Sequence, residues 1–368
     1  MTRRNSRRIM VGSVPVGGDA PVTVQSMLDV RTSDVEGAAR QLDSLRRAGA
    51  DIVRLAVDSD SDVAALGELV KNTSLPLVAD IQFRRESAVA AVKAGAAAIR
   101  VNPGLFPAEG DDFARLADAL LEHGAAIRVG ANSGSIGASA LKAELEKGGD
   151  RDAALARALA EKTLRQCEAL EKRGVYHIKA ALKASSVGVT VAANRLFAAR
   201  SDLPLHIGVT EAGTSYRGVV KSACGIGALL LDGIGDTIRV SLTAPPEEEV
   251  RAGIAILEAC GLRRAAPEVV SCPTCGRTEV DLPRLAEQVE ELLRRLEAEG
   301  GRLPFRKIAV MGCPVNGPGE ARDADFGIAG TRTGTLLLFR RGRGIGVFPP
   351  DEAMRRLETL LREATAEA

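Results

Sequence analysis

The chain has 368 residues, 45% of them hydrophobic and 26% charged, with a net charge of +1, which suits two soluble domains with sizeable cores. That near-neutral charge, the 3% aromatic content and the absence of Trp provide neither the basic surface nor the stacking platforms of a general nucleic-acid binder. The basic start, Met1-Thr-Arg-Arg-Asn-Ser-Arg-Arg8, runs into no apolar stretch, so no signal peptide or membrane span is expected.

From about residue 20 to 260 one unit recurs: helix, Gly, short apolar strand. Ala48-Gly49-Ala-Asp-Ile-Val-Arg-Leu55 is echoed by Ala94-Gly95-Ala-Ala-Ala-Ile-Arg-Val101, by His123-Gly124-Ala-Ala-Ile-Arg-Val129 and by Arg173-Gly174-Val-Tyr-His-Ile-Lys179. A Gly at each junction fits the left-handed position that ends a helix, and His123 reads as part of such a helix end. The first helix is predicted from a capping box, Ser33 with Glu36, followed by the stripe Val35, Ala38, Ala39, Leu42 and Leu45. Strands are predicted at 22–27, 52–57, 77–82, 99–103, 126–131, 177–184, 205–210 and 237–243. Strands alternating with helices in this way predict a parallel (β/α)₈ TIM-type barrel over residues 1–263. The longest gap, before the strand at 177, holds an Ala-rich stretch at 138–173 and should contain extra helix.

Residue 264 onward reads differently. One amphipathic helix carries Leu282, Leu285, Val289, Leu292 and Leu296, and a short strand Lys307-Ile-Ala-Val-Met311 follows. A hairpin over 335–348, turning at Arg341-Gly-Arg-Gly344, precedes a final helix from Asp351. Residues 264–368 are therefore expected to form a small α+β domain.

Alternation along the strands sorts side chains by face. Val53, Leu55 and Val57 share one face, as do Ile99 with Val101, Ile127 with Val129, and Ile238, Val240 and Leu242; these should pack under the helices. The opposite parity sends Arg54, Arg100, Asn102, Arg128, Gly130, Asn132, Arg239 and Ser241 into the barrel, with Lys179, Lys183, Ser185, Asp80 and Gln82. Asp80 and Glu211 are the acids expected nearby, too few to neutralise those cations, and unpaired buried charge is costly. A bound diphosphate resolves the imbalance better than an internal salt-bridge network, because arginine forks match phosphate oxygens. Strand C-terminal ends, where these residues lie, are where such barrels react. His206 also points inward, although a lone strand histidine is more often a satisfied core residue. Gln25 and Ser26 are compatible with lining the site or with plugging the barrel.

The cysteines complete the pattern. Ser271-Cys-Pro-Thr-Cys-Gly-Arg277 and Met311-Gly-Cys-Pro-Val-Asn-Gly-Pro-Gly-Glu320 hold Cys272, Cys275 and Cys313 on Gly/Pro turns. The Asn316-Gly-Pro-Gly turn can bring Glu320 back beside Cys313 as a fourth ligand. Three thiolates and one exchangeable oxygen suit an iron–sulfur cluster with one iron open to substrate. Zinc is the main competitor, but structural zinc favours a closed Cys/His set, and His123, His177 and His206 lie far upstream. A thioredoxin-like pair needs its CxxC after a strand in a βαβ unit, whereas Pro267 and acidic, irregular sequence precede this one. Cys167, Cys224 and Cys260 read as buried free thiols, and six cysteines in so long a chain suit a reducing, cytoplasmic setting better than a disulfide framework.

Together these residues resemble the bacterial (E)-4-hydroxy-3-methylbut-2-enyl diphosphate synthase family, iron–sulfur oxidoreductases of the non-mevalonate isoprenoid pathway. The likeness covers nearly the whole chain. It runs through Val24-Gln-Ser-Met27, Ala79-Asp-Ile81, Arg100-Val-Asn-Pro-Gly104, Leu182-Lys-Ala-Ser185, Ile207-Gly-Val-Thr-Glu-Ala-Gly213 and Gly235-Asp-Thr-Ile-Arg-Val-Ser-Leu242 to both cysteine motifs, which are highly specific. The resemblance implies reductive ring opening and dehydration of 2-C-methyl-D-erythritol 2,4-cyclodiphosphate, with electrons from flavodoxin or ferredoxin through a 4Fe–4S cluster. It implies that Cys272, Cys275, Cys313 and Glu320 hold the cluster. Arg54, Arg100, Arg128, Asn132, Lys183, Arg239 and Ser241 would grip the diphosphate, and Glu211 would sit beside the reacting carbons. A homodimer is implied, the cluster domain of one protomer closing over its partner's barrel. Two departures stand out: Asp80-Ile-Gln82-Phe-Arg84 replaces Ala-Asp-Ile-His-Phe-Asp at the third strand's end, and Leu28-Asp29-Val30 replaces a Thr/Asn-rich run. Gln82 can hydrogen-bond but cannot carry a proton as imidazole does. The alternatives are an iron–sulfur paralogue with an altered substrate, a cluster-based sensor without turnover, and a zinc-stabilised phosphosugar barrel.

Overall fold

Two short strands, β1 (Ile9–Val11) and β2 (Val14–Val16), pair as an antiparallel hairpin ahead of the predicted repeat. Their Ile9, Val11 and Val16 pack against Ile52, Val78, Ala98 and Ala126. Those partners are the first inward side chains of four barrel strands, so the hairpin plugs the barrel floor with apolar surface. The computed structural model describes residues 2–82, 84–263, 267–300, 303–313 and 323–367.

The repeat then runs β3 (Thr23–Met27), α1 (Val35–Ala48), β4 (Ile52–Ala56), α2 (Asp60–Asn72), β5 (Leu77–Asp80), α3 (Glu86–Lys93), β6 (Ala98–Val101), α4 (Asp111–His123) and β7 (Ala126–Asn132). It continues through α5 (Ala138–Leu145), α6 (Arg151–Glu171), β8 (Ile178–Lys183), α7 (Val187–Ala198), β9 (His206–Ile207), α8 (Ser215–Leu231), β10 (Thr237–Ile238) and α9 (Pro246–Ala259). The eight strands β3 to β10 form one parallel sheet, and a bridge from Ala180 to Leu205 links its two ends, β8 and β9. This is the predicted (β/α)₈ barrel, with two helices, α5 and α6, before β8 where the repeat needs one.

The last two barrel strands are shorter than 205–210 and 237–243. A Cβ on Gly208 would lie 2.3 Å from the Arg239 carbonyl oxygen, so a glycine is needed where the regular pairing of these two strands ends. Helix α1 also starts differently: Asp34, not Ser33, is the N-cap and accepts from the Gly37 N–H. The Ser33 N–H is taken by Asp62, which removes the Ser33–Glu36 box. On that helix Ala38, Leu42 and Leu45 are buried, while Ala39 faces out. The outward strand residues Val53, Leu55, Val57, Ile99, Val101, Ile127, Val129, Ile238 and Val240 lie in one apolar cluster with α1 Leu42 and Leu45, α2 Leu66 and Leu69 and α4 Leu116 and Leu120.

Contacts divide the chain into Met1–Arg263 and Arg264–Ala368. The second unit holds β11 (Glu268–Ser271), α10 (Leu282–Gly300), β12 (Lys307–Met311), β13 (Phe326–Gly330), β14 (Leu336–Arg340), β15 (Arg343–Phe348) and α11 (Pro350–Ala366). Its five-stranded sheet runs β11-β12-β13-β14-β15, the first three strands parallel and the rest antiparallel. The β14–β15 hairpin turns on Arg341 and Gly342, with φ of 48° and 74°, the double left-handed turn that matches strand twist. Helices α10 and α11 lie side by side, joined by Arg295–Glu358 and Arg362–Glu299 ion pairs of 2.8 Å each.

Strand β11 overturns one expectation. The CxxC does follow a strand, and β11-α10-β12 is a parallel βαβ unit. Glu268 and Ser271 are exposed and Val269 and Val270 only half-buried on this sheet edge, so the sequence carries little apolar signal there. Helix α10 nevertheless begins only at Leu282, so Cys275 does not occupy a helix N-terminus as a thioredoxin-type thiol would. Among the described residues, no helix is long and apolar enough to cross a membrane.

Candidate functional site

Register brings the inward cations to one level of the barrel. Asp80 pairs with Arg100, Arg100 with Arg128, Arg128 with Lys179 and Asn132 with Lys183 across β5, β6, β7 and β8. Asp80 is the hub: Arg100 Nη1 donates to its Oδ1 at 2.9 Å, Arg54 Nε lies 3.5 Å from Oδ2, and Gln82 Nε2 donates to Oδ1 at 3.2 Å. Burial alone would lift the Asp80 carboxyl, but Arg54, Arg100 and Arg128 outweigh it and hold it below the ordinary carboxylate range.

A second acid was missed. Glu249 on α9 is buried, lies 3.2 Å from Arg239 Nη2 and accepts the Leu242 N–H at 2.9 Å. Within the run Glu247-Glu-Glu249, sequence alone offers no sign of which side chain turns inward. Glu211, expected beside the cations, stands exposed after β9 with φ of 52°, a left-handed conformation uncommon for a side chain of that size.

Asp80 and Glu249 do not balance Arg54, Arg100, Arg128, Lys179, Lys183 and Arg239. The shortfall appears as orphaned donors: Arg100 Nε, Arg128 Nε and Nη1, Arg239 Nε and Lys179 Nζ are buried without a hydrogen-bond partner. Among the described residues, Arg54 faces only the weakly accepting Met27 sulfur at 2.7 Å besides Asp80. Burial pushes the Arg54 guanidinium down to about 9. It also drives Arg128 and Lys183 well below their ordinary values, with neighbouring arginines adding to the effect. Native proteins rarely leave so many buried donors unmatched, and an anion with many acceptor oxygens would satisfy them together. Asn132 closes a small capping box with Ser135, and Ser241 is half-buried at the rim. Asn102 is committed to its own turn, accepting the Gly104 N–H at 2.9 Å.

Glycines keep this space open. A Cβ on Gly208 would sit 2.8 Å from Lys183 Nζ, and one on Gly130 would sit 3.1 Å from Arg100 Nε. Gly208→Ala should therefore cost roughly 1–3 kcal/mol of stability by overpacking and weaken anion binding through Lys183. Thermal melting with and without ligand would measure both effects; an unchanged melting point would refute the close fit.

His206 and the β3 pair needed the structure. His206 is 0% exposed and neither ring nitrogen has a partner, so it is not the satisfied core residue expected. Ser26 points outward to the Pro246 carbonyl at 3.5 Å, while buried Gln25 has both amide atoms unpartnered. A separate surface cleft, lined among others by Ser74, Pro76, Lys93 and His123, opens at the strands' N-terminal end, away from these groups.

In the second unit, Ser271 of β11 pairs with Val310 of β12. Both cysteine turns therefore leave the same end of adjacent parallel strands. The Gly312 N–H donates to Cys272 Sγ at 3.2 Å, and Cys275 N–H donates to Thr278 Oγ1 at 3.1 Å. Cys272 and Cys313 are buried, Cys275 is exposed, and all are free thiols. The Arg277 backbone N–H, with Thr278 and Arg277 side chains, holds the Cys275 thiol below its usual value. A buried sulfur accepting a backbone N–H on turns of this kind fits thiolate ligation of a metal cluster. Among the described residues, no three His, Cys, Asp or Glu side chains are gathered closely enough to hold a metal ion; Glu320 and Asn316 lie outside those residues. Of the other cysteines, Cys167 is buried, Cys260 half-buried and Cys224 exposed. The last corrects the expectation of burial, since α8 turns Ser222, Gly225 and Ile226 inward instead.

The GcpE TIM-barrel domain model matches residues 6–254, and the GcpE protein C-terminal domain model matches residues 268–363. The chain belongs to the GcpE family. Relatives within the family include the 4-hydroxy-3-methylbut-2-en-1-yl diphosphate synthase (flavodoxin) of Salinispora tropica, 48% identical over 98% of this chain and 88% of that one. The protein of the same name from Desulfotalea psychrophila is 48% identical over 93% and 91%. That of Frankia casuarinae is 47% identical over 99% and 90%. GcpE membership accounts for both halves of the chain, the barrel and the cysteine-bearing unit.

Proposed function

We propose that the chain is a flavodoxin-dependent 4-hydroxy-3-methylbut-2-en-1-yl diphosphate synthase. It reductively opens 2-C-methyl-D-erythritol 2,4-cyclodiphosphate and removes one oxygen as water to give (E)-4-hydroxy-3-methylbut-2-enyl diphosphate. The carrying observation is the excess of buried, partnerless cationic donors in the barrel, in a chain whose relatives share this activity in name over nearly full length.

Arg54, Arg100, Arg128, Lys183 and Arg239 grip the diphosphate, with Asn132 and Ser241 at the rim. Asp80 holds Arg54 and Arg100 in place and keeps the cage from flying apart when empty. The cations also stabilise charge that builds on the diphosphate side as the ring opens. Cys272, Cys275 and Cys313, with Glu320 as the oxygen ligand, would hold a 4Fe–4S cluster. When bound, that cluster supplies electrons one at a time and an iron able to take the leaving oxygen. Glu211, exposed after β9, would serve beside the reacting carbons as a polar or acid–base group, and Gln82 orients Asp80. The protein acts in the cytoplasm as a homodimer, with no nucleic acid or membrane involved.

The test is anaerobic turnover of the cyclodiphosphate with a chemical reductant, so that donor docking does not mask the chemistry. Gln82→His should raise turnover more than it changes affinity, by less than the 10²–10⁴-fold of a fully engaged general acid. An unchanged rate would make Gln82 a hydrogen-bonding wall only. If neither form turned over despite an intact cluster, the synthase reading would fail in favour of an altered substrate.

A further inference from the structure

Beneath the arginines lies a tier of polar groups that the proposed substrate grip does not use. Lys179 is 1% exposed, Gln25 1% and His206 0%, and the side-chain polar atoms of all three lack partners. Lys179 and His206 each sit next in sequence to one end of the Ala180–Leu205 bridge that closes the barrel. Among the described residues, no carboxylate near Lys179 is free to pair with it. Asp236 feels its charge but is committed to Arg3 at 2.9 Å, Ser6 at 2.8 Å and the Leu205 N–H at 2.8 Å. Asp80 and Glu249 are held by Arg54, Arg100 and Arg239.

Apart from the committed Asp236, the groups around Lys179 are cationic or neutral. Arg128 faces it from β7, Lys183 follows on its own strand, and His206 approaches from β9. Arg239 of the β10 end and Arg54 and Arg100 of β4 and β6 complete the cationic ring, seen from Arg128 and Lys183. His206 is kept neutral by its own burial and then by Lys183 and Arg128, so it can offer a ring nitrogen but no charge. An ammonium only 1% exposed and with no hydrogen-bond partner in the protein is costly in such surroundings, and the group discharges instead.

The geometry points to a proton-coupled anion site: entry of the diphosphate draws one proton from solvent onto Lys179, converting a neutral amine to an ammonium beneath the cage. The step forms one N–H bond and needs no other reactant. It rests on the diphosphate reading above and adds a titrating group to it. Burial and Arg128 bring Lys179 down to about 7 in the empty barrel, against about 10.4 for an ordinary lysine. An incoming anion restores the cost-free charged form and raises the value again. Lys183 is pushed the same way; any uptake there survives substitution of Lys179, so variants at Lys179 separate the two shares. Between those two values the resting enzyme lacks the proton and the complex carries it, so affinity falls as pH rises.

The experiment is calorimetric titration of oxidised, cluster-loaded protein with the cyclodiphosphate, without reductant, so that nothing turns over. The ligand's own oxygens are diester-like and do not titrate near neutrality. At about pH 8.5, midway between the two values, binding heats in two buffers of different ionisation enthalpy should differ by the equivalent of at least one proton per site, that of Lys179. Across that window the dissociation constant should rise about tenfold per pH unit for each proton taken up. K179M, which has nothing to protonate there, should take up about one proton fewer than wild type, lose that share of the pH slope and bind more weakly; K179R, whose guanidinium holds its proton far more firmly than an amine, should also take up less than wild type. Should K179M fail to fold by circular dichroism, K179R alone decides. Equal heats in the two buffers with wild-type protein, or full proton uptake by K179R, would overturn the inference while leaving the diphosphate reading intact. No binding heat at all would overturn both.

Discussion

Replacing Cys272, Cys275 or Cys313 by Ser should leave the anaerobically purified protein nearly without iron. The intact protein should carry about four iron and four sulfide per chain. Each thiol is expected to count because the set is already minimal, and a serine oxygen is a poor ligand for a soft iron–sulfur centre. Cys272→Ser also replaces the sulfur that accepts the Gly312 N–H at 3.2 Å, so it should disturb the second cysteine turn as well as the first. Cys224, exposed on α8, is the control: Cys224→Ser should keep full iron. Metal analysis and visible absorbance read the outcome directly. Stoichiometric zinc without iron in native protein would sink the cluster assignment.

Arg128→Met should move affinity and stability in opposite directions. Arg128 is 2% exposed, and its Nε and Nη1 have no partner, so the empty barrel bears its desolvation without recompense. Losing its charge-assisted bonds should weaken cyclodiphosphate binding by roughly 1.5–3 kcal/mol, or about one to two decades. Removing a self-repelling charge should raise the melting point of the ligand-free protein. Asp80→Asn should do the reverse to stability, because it strands Arg54 and Arg100 without their shared counter-ion. The pH dependence follows in sign. The native Asp80 carboxyl titrates below its ordinary value, so its contribution is fully present above about pH 4 and is lost as pH falls through that lower native value. Titration calorimetry and thermal melts of the two variants check both claims; a destabilised Arg128→Met with unchanged affinity would mean the arginine is structural.

The site was legible from sequence where a short-range rule applied. Period-two alternation placed Arg54, Arg100, Arg128 and Arg239 on the inner face, because a parallel strand buried under helices cannot turn its apolar face to the lumen without exposing it. The same parity found Lys179 and Asp80. It failed where the partner comes from another element. Glu249 reaches the cage from a helix, Gln25 and Ser26 needed the strand's orientation to be told apart, and His206 needed its neighbours before its missing bonds could be seen.

By itself, then, the sequence determined the repeat of helix, Gly and strand, the inward cations, and the thiols on Gly/Pro turns, since each depends on residues within a few positions of one another. Only the tertiary structure decided that β11 precedes the CxxC in a βαβ unit, that a hairpin plugs the barrel floor, and that Asp80 and Glu249 leave buried cations unmatched. Those facts depend on contacts between residues far apart in the chain. Whether a buried lysine keeps its proton is set by which charges the fold brings beside it, and that no local pattern records.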